Sequence, residues 1–69
     1  MPLSFAVIGE NNVIKRISGK AEIKKHLANL GFVVGGNVSV VSENQGNMIV
    51  SVKGSRVAIS SEMANKIFI

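Results

Sequence analysis

The 69-residue sequence contains no cysteine, tryptophan, tyrosine or aspartate, and it has a single proline. Without cysteine there is no disulfide, no thiolate metal site and no cysteine nucleophile. Without aspartate there is no Ser-His-Asp triad, and His26 is the only histidine. The composition therefore favours an interaction module over an enzyme, and we predict no catalytic residues.

Long hydrophobic runs are also missing. A membrane-spanning helix needs about 20 consecutive apolar residues, whereas the runs here are as short as Met48-Ile49-Val50. The N-terminal segment has no basic leader, and its apolar stretch ends at Gly9. We therefore expect a soluble, cytoplasmic protein.

What is present is a short, apolar and basic chain. Hydrophobic residues make up 46% and charged residues 17% of it, a balance that excludes intrinsic disorder. The length allows one domain over residues 1–69, and a core of this size rarely supplies more than about 3–5 kcal/mol. Eight Lys and Arg against four Glu give a net charge of +4, and five of those eight lie within residues 1–30.

One segment has clear helical periodicity. Ile23, Leu27 and Leu30 follow the i, i+4, i+7 spacing of an apolar helix face. Gly31 comes next, where a glycine commonly ends a helix. The spacing predicts a helix over residues 20–30 whose lysines face water.

The rest of the chain consists of short β segments between Gly- and Asn-rich turns. The predicted strands cover residues 13–17, 37–40, 48–52, 56–59 and 66–69. Alternation in the first strand is imperfect, which suggests a bulge. A tight turn is predicted at Gly54-Ser55 and a short helical turn from Ser60. The pattern predicts a mainly β fold, a small SH3-like barrel of about five strands with one α-helix inserted after the first strand.

Alternation also predicts the core. It directs these side chains of the second and third predicted strands inward: Val38, Val40, Met48, Val50 and Val52. The three phenylalanines, Phe5, Phe32 and Phe68, each lie in an apolar context that indicates core. Met48 and Met63 fit as core fillers.

Sites for metals and cofactors are poorly represented. Glu22 and His26 stand at i and i+4 on the predicted helix, which makes a surface pair or half of a metal site. A structural or catalytic metal takes three or four ligands, so this pair is too small. The sequence has no glycine-rich phosphate-binding motif. We therefore predict neither a metal site nor a bound cofactor.

Positive charge is the main functional signal. It concentrates on Lys15, Arg16, Lys20, Lys24 and Lys25, around the first strand and the helix. One interpretation is a solubilising face; the other is an electrostatic docking face for an acidic partner. In the second case Arg16, Lys20, Lys24 and Lys25 are the candidate contact residues.

Nucleic acid is an alternative acidic partner, since small barrels often bind it. Single-strand recognition requires exposed aromatic rings, and helix-turn-helix recognition of a duplex requires a second helix. An acidic protein surface needs neither. A nucleic-acid-binding or transcription-linked interaction module remains the alternative, and exposed apolar area on so small a domain also allows a homodimer.

An ordered series of glycine and aliphatic positions runs through almost the whole chain. Its segments are Ile14-Lys15-Arg16-Ile17, Leu27-Ala28-Asn29-Leu30-Gly31-Phe32-Val33-Val34-Gly35, Val50-Ser51-Val52-Lys53-Gly54-Ser55-Arg56-Val57-Ala58-Ile59 and Ala64-Asn65-Lys66-Ile67. This series resembles the ferrous iron transport protein A (FeoA) family. Val34 stands where the family usually has a proline before the glycine, and Asn47-Met48 replaces another common proline; both differences affect loop stiffness.

The resemblance implies an SH3-like barrel and a cytoplasmic accessory protein of bacterial ferrous iron uptake. Such a protein would dock on and modulate the membrane transporter FeoB, which carries a GTP-hydrolysing domain, without transporting iron itself. The family is associated with transition metal ion binding, for which this sequence shows no ligand set. A similar domain ends certain metal-dependent transcriptional repressors, where it serves as an interaction module.

Overall fold

The computed structural model describes all 69 residues, Met1 to Ile69. In chain order the elements are a 3₁₀ turn (Leu3–Phe5), β1 (Asn11–Val13), β2 (Arg16–Ile17), α1 (Ala21–Leu30), β3 (Asn37–Asn44), β4 (Asn47–Val52), β5 (Ser55–Ser60), α2 (Ser61–Ala64) and β6 (Ile67–Phe68). Four strands form an antiparallel sheet in the order β1-β3-β4-β5, and β2 pairs with β6 in a two-stranded ribbon. The mainly β fold with an inserted helix is confirmed, with six strands in two sheets that do not join into a closed barrel.

The predicted first strand over residues 13–17 is wrong as a single element. The Ile14 N–H donates to the Gly36 carbonyl at 2.9 Å, and the next residue, Lys15, donates to the Phe68 carbonyl at 2.7 Å. These consecutive bonds carry the chain from the four-stranded sheet to the ribbon. The imperfect alternation therefore marks a change of sheet, and it does not mark a bulge.

Helix α1 packs one apolar stripe on the core. Leu27 is fully buried, and Ile23 and Leu30 pack at the core margin. Gly31 ends the helix in the left-handed conformation with φ of 107°. The Phe32 N–H then donates to the Leu27 carbonyl at 2.9 Å, and the buried Phe32 side chain follows the helix end. The predicted helix, its end and its apolar face are confirmed.

Strands β3, β4 and β5 form the predicted meander with two differences. Strand β3 continues to Asn44. The bulge of the four-stranded sheet lies within β3, where the register with β4 shifts between Val40 and Ser42. The second turn consists of Lys53 and Gly54, with φ of 50° and 76°. Two positive φ angles are typical of a type I′ hairpin, whose second residue is usually glycine. The turn predicted at Gly54-Ser55 is therefore displaced by one residue.

The core is a cluster of twelve buried apolar side chains. They are Leu3, Ile14, Leu27, Phe32, Val38, Val40, Met48, Val50, Val52, Ile59, Ala64 and Ile67. The inward positions predicted for β3 and β4 are confirmed, and Met63 packs against this cluster as a partly buried filler. The prediction for Phe5 is wrong, because its side chain is 71% exposed. Successive residues of a 3₁₀ turn are about 120° apart, so the turn that buries Leu3 directs Phe5 outward.

The first and last residues meet beside the ribbon. The Met1 amino group donates to the Ile69 carbonyl, and the Ile69 N–H donates to the Met1 carbonyl, both at 2.8 Å. Pro2 forms a β-bridge with Phe68. Neither helix is long and apolar enough to cross a membrane.

Candidate functional site

A row of positive charge follows one side of helix α1. With about 3.6 residues per turn, Lys20, Lys24 and Gly31 line up along the helix at i, i+4 and i+11. The Lys53 side chain lies against the far end of this row, because a Cβ added to Gly31 would lie 3.5 Å from the Lys53 Cδ. We call Lys20, Lys24 and Lys53 the basic flank.

The two ends of the basic flank differ in their electrostatics. Lys53 lies at the C-terminal end of α1, where the helix dipole favours a cation, and Lys20 lies at the N-terminal end, where it does not. Lys20 occupies the N-cap position and makes no side-chain capping bond. The N-terminal end of the flank therefore carries the less favourable charge.

Lys25 does not belong to the basic flank. It follows Lys24 by one residue, about 100° further round the helix. Its side chain is exposed on the outward side of α1, nearer to Glu22, three residues earlier. The structure thus separates Lys25 from the other candidate residues on the helix.

Arg16 projects from the ribbon at the N-terminal end of α1. It pairs with Phe68 across β2 and β6, and its guanidinium carbon lies 4.4 Å from the centroid of the Phe68 ring. The Lys66 side chain crosses the connection into α1, because a Cβ added to Gly19 would lie 3.2 Å from the Lys66 Cδ. Lys20 directly follows Gly19. We call Arg16, Lys20 and Lys66 the basic corner.

Lys53 and Lys66 are not among the candidate residues predicted from the sequence. Both are isolated in the sequence, one in a hairpin turn and one before the last strand. Both reach α1 by packing against glycines that flank the helix. No local pattern signals such a contact.

The basic side chains have no hydrogen-bond acceptors inside the molecule. The side chains that donate hydrogen bonds belong to Ser4, Asn11, Asn12 and Ser18, and none belongs to Lys or Arg. Arg16, Lys20, Lys24 and Lys25 are all exposed, and Lys66 is half-buried. Their charge is therefore available to a partner.

Metal-ligating side chains are dispersed. No group of three or more His, Cys, Asp or Glu side chains lies close enough to hold a metal ion. His26 is exposed on α1, and the surface contains no pocket.

The aromatic side chains do not form a stacking surface. Phe32 is buried, and the guanidinium of Arg16 lies over the ring of Phe68. Phe5 is exposed beside the apolar Val7 and Ile8, which are 58% and 56% exposed. One exposed ring does not provide the successive stacking positions that single-stranded nucleic acid uses.

Comparison with known proteins identifies the domain family of the chain. The FeoA domain model matches residues 1–69. A protein of Methanocaldococcus jannaschii, provisionally named Fe(2+) transport protein A, is 34% identical over 68 residues, which cover 99% of this chain and 83% of that protein. The crystal structure of an iron uptake regulatory protein (FeoA) has a TM-score of 0.89 at 29% identity, covering 97% of this chain and 91% of the other.

Other solved structures share the fold. Stenotrophomonas maltophilia FeoA complexed with zinc, described as an SH3 domain protein, has a TM-score of 0.85 at 24% identity, covering 99% of this chain and 87% of the other. A manganese-dependent transcriptional repressor has a TM-score of 0.90 at 19% identity over 100% of this chain but only 40% of its own. Both likenesses concern the fold alone, and the predicted SH3-like fold is confirmed. With a family model that spans all 69 residues, the chain belongs to the FeoA domain family.

Proposed function

We propose that this protein is a non-catalytic, cytoplasmic accessory component of ferrous iron uptake that docks on the cytoplasmic region of the transporter FeoB and modulates it. The observation that carries the proposal is the positive charge of the basic flank and the basic corner, whose side chains make no hydrogen bond within the molecule, in a member of the FeoA domain family. The M. jannaschii relative bears an iron transport name, and the S. maltophilia protein is described as a candidate activating factor of ferrous iron transport.

The positive charge of the basic flank and the basic corner suits docking for two reasons. It raises the rate of encounter with a surface of opposite sign, and it disfavours partners of like sign. Arg16, Lys20 and Lys24 lie at or beside the N-terminal half of the helix, so a single acidic surface can meet all three. Lys25 faces outward and would lie at the rim of such an interface.

The size of the domain is compatible with one such interface. A standard protein interface buries about 800 Å² on each partner, and the accessible surface of this domain is 4274 Å². Docking would therefore use roughly a fifth of the surface. A patch of that size accommodates both the basic flank and the basic corner.

Nucleic acid fits the same charge less well. Its single-stranded form requires stacking rings, and two of the three phenylalanine rings are buried or already covered. We therefore retain nucleic acid as an outcome of the binding test and not as a second proposed function.

The test is isothermal titration of the cytoplasmic region of FeoB with matched charge reversals. We expect Lys24→Glu to weaken binding by about tenfold or more, because it places like charges in contact. Lys25→Glu, at the rim, should have a smaller effect. Arg56→Glu is the matched control: it makes the same change of charge in β5, on the sheet face opposite the core, and should leave affinity within about twofold of the wild type.

Two results would contradict the proposal. Equal affinities for wild type and Lys24→Glu would exclude the basic flank as the docking surface. Binding of wild type to an oligonucleotide, with a steep salt dependence and no binding to the transporter region, would favour the nucleic-acid alternative.

A further inference from the structure

Arg16 differs from the other basic residues because a second side chain holds it in place. Pairing of β2 with β6 puts Arg16 directly opposite Phe68, with the guanidinium 4.4 Å from the ring centroid. The negative face of an aromatic ring attracts a cation, and directly opposed side chains on a sheet remain in contact. Arg16 therefore presents its charge at a defined position, whereas a lysine side chain is flexible.

The contact with Phe68 brings the guanidinium carbon of Arg16 over the ring and uses no hydrogen bond. The N–H donors of arginine lie in the guanidinium plane and match both oxygens of a carboxylate. Side-chain hydrogen bonds within the molecule come from Ser and Asn donors and not from Arg16. The in-plane donors of Arg16 are therefore free for a ligand outside the molecule.

Two lysines add positive charge beside Arg16. Lys66 lies two residues before the residue that pairs with Arg16, and its stem crosses Gly19, where an added Cβ would be 3.2 Å from the Lys66 Cδ. Lys20 follows Gly19 in the chain. Glu22 is two residues from Lys20, about 200° further round the helix, and so lies on the opposite side of α1. The basic corner therefore favours an anionic group.

We infer that Arg16, positioned by Phe68, is the principal contact of the docking surface and receives an Asp or Glu carboxylate of the partner protein in a two-point hydrogen-bonded pair. Lys20 and Lys66 attract the partner's acidic surface through longer-range electrostatic interactions. This inference rests on the proposed docking function and names the chemistry of the partner surface. An arginine held in advance loses less side-chain freedom on binding than a free lysine does, and arginine is enriched among dominant contacts of protein interfaces.

A carboxylate fits this corner better than a phosphate of nucleic acid. The ring beside Arg16 has its face covered by the guanidinium, so a base has no ring to stack on there. A carboxylate of an acidic protein segment requires only the paired N–H donors of Arg16 and the surrounding positive charge. Binding of an oligonucleotide is therefore an outcome that would overturn the inference.

The test keeps the positive charge at position 16 and removes the paired in-plane N–H donors of the guanidinium. Arg16→Lys and the matched Arg56→Lys are titrated with the cytoplasmic region of FeoB. We expect Arg16→Lys to weaken binding by about tenfold and Arg56→Lys to leave it within about twofold of the wild type. The Nε–H signal of Arg16 should shift in the NMR spectrum when the wild-type complex forms.

The role of Phe68 is tested by a double-mutant cycle. Phe68→Leu should weaken binding, and Arg16→Lys/Phe68→Leu should bind no more weakly than Arg16→Lys alone, because Phe68 acts only through Arg16. Circular dichroism checks that each variant is folded.

The outcomes separate the inference from the proposed function. If wild type and Arg16→Lys bind equally well, the inference is wrong and the docking function stands. If Arg16→Lys weakens binding to an oligonucleotide but not to the transporter region, the carboxylate assignment is wrong. If wild type does not bind the transporter region at all, the proposed function fails and the inference fails with it.

Discussion

The first turn of α1 leaves its N–H groups uncapped, which allows a prediction about stability. The first helical hydrogen bond runs from the Lys24 N–H to the Lys20 carbonyl, at 3.0 Å. Lys20 itself has φ of −70° and ψ of 159°, the extended geometry of an N-cap, but its side chain makes no capping bond. The N–H groups of Glu22 and Ile23 are the usual targets of such a bond. A short oxygen-bearing side chain at position 20 should therefore supply it.

Three substitutions of Lys20 separate the capping bond from the charge. Lys20→Ala removes only the unfavourable charge and should stabilise the fold by a few tenths of a kcal/mol. Lys20→Ser also adds the cap, for a gain of about 1 kcal/mol over Ala. Lys20→Asp adds a favourable charge at the helix N-terminus, for roughly a further 0.5 kcal/mol over Ser.

These gains are large for a domain of this size. A gain of 1 kcal/mol raises the Tm of a 60–100-residue domain by about 4–8 °C, and the whole core is expected to supply only about 3–5 kcal/mol. Thermal and urea unfolding, followed by circular dichroism, measure the stability of each variant. We expect Lys20→Asp to be the most stable, followed by Lys20→Ser, Lys20→Ala and the wild type. In about 1 M salt, where charges are screened within ~3 Å, the difference between Asp and Ser should shrink and that between Ser and Ala should persist.

One result would refute the reasoning about the cap. If Lys20→Ser were no more stable than Lys20→Ala, the hydroxyl would not be capping the helix. If Lys20→Asp bound the FeoB region as tightly as the wild type, Lys20 would not be part of the docking surface. The expected combination is higher stability with weaker binding, which would explain why a poor N-cap residue occupies this position.

Two further predictions concern folding. Phe32→Ala should lower the free energy of unfolding by about 3–5 kcal/mol, because Phe32 is fully buried. Since that loss equals the expected total stability, urea unfolding should find this variant largely unfolded at 25 °C. A cooperative transition near the wild-type midpoint would contradict the core assignment. Gly31→Ala should cost about 1 kcal/mol, because Gly31 has φ of 107° and a Cβ there would meet only ordinary contacts of 3.5 Å or more. Gly31→Asn should cost less, because asparagine tolerates this conformation, and equal midpoints for the two variants would contradict the backbone explanation.

Local signals in the sequence were sufficient for most of the fold. Helix α1 follows from the spacing of Ile23, Leu27 and Leu30, and the inward faces of β3 and β4 follow from strict alternation. The division of the first strand could not be predicted locally. Its two halves pair with residues far along the chain, near Gly36 and Phe68, and only the tertiary structure brings those partners together.

The candidate surface was predictable only in part. Helical spacing places Lys20 and Lys24 on one side of α1 and turns Lys25 away. Lys53 and Lys66 join the surface through long-range packing against Gly31 and Gly19, which no spacing rule detects. The docking role of Arg16, Lys20 and Lys24 is a prediction that the titrations test.

The hydrogen bonds between Met1 and Ile69 have a consequence for how such a domain combines with other sequences. Because the first and last residues are adjacent, the domain can be inserted into a surface loop of a host protein without forcing apart the two host residues that flank it. The same adjacency makes the fold a good subject for circular permutation: a short linker can close the ends, and new ends can open at the exposed hairpin turn of Lys53 and Gly54.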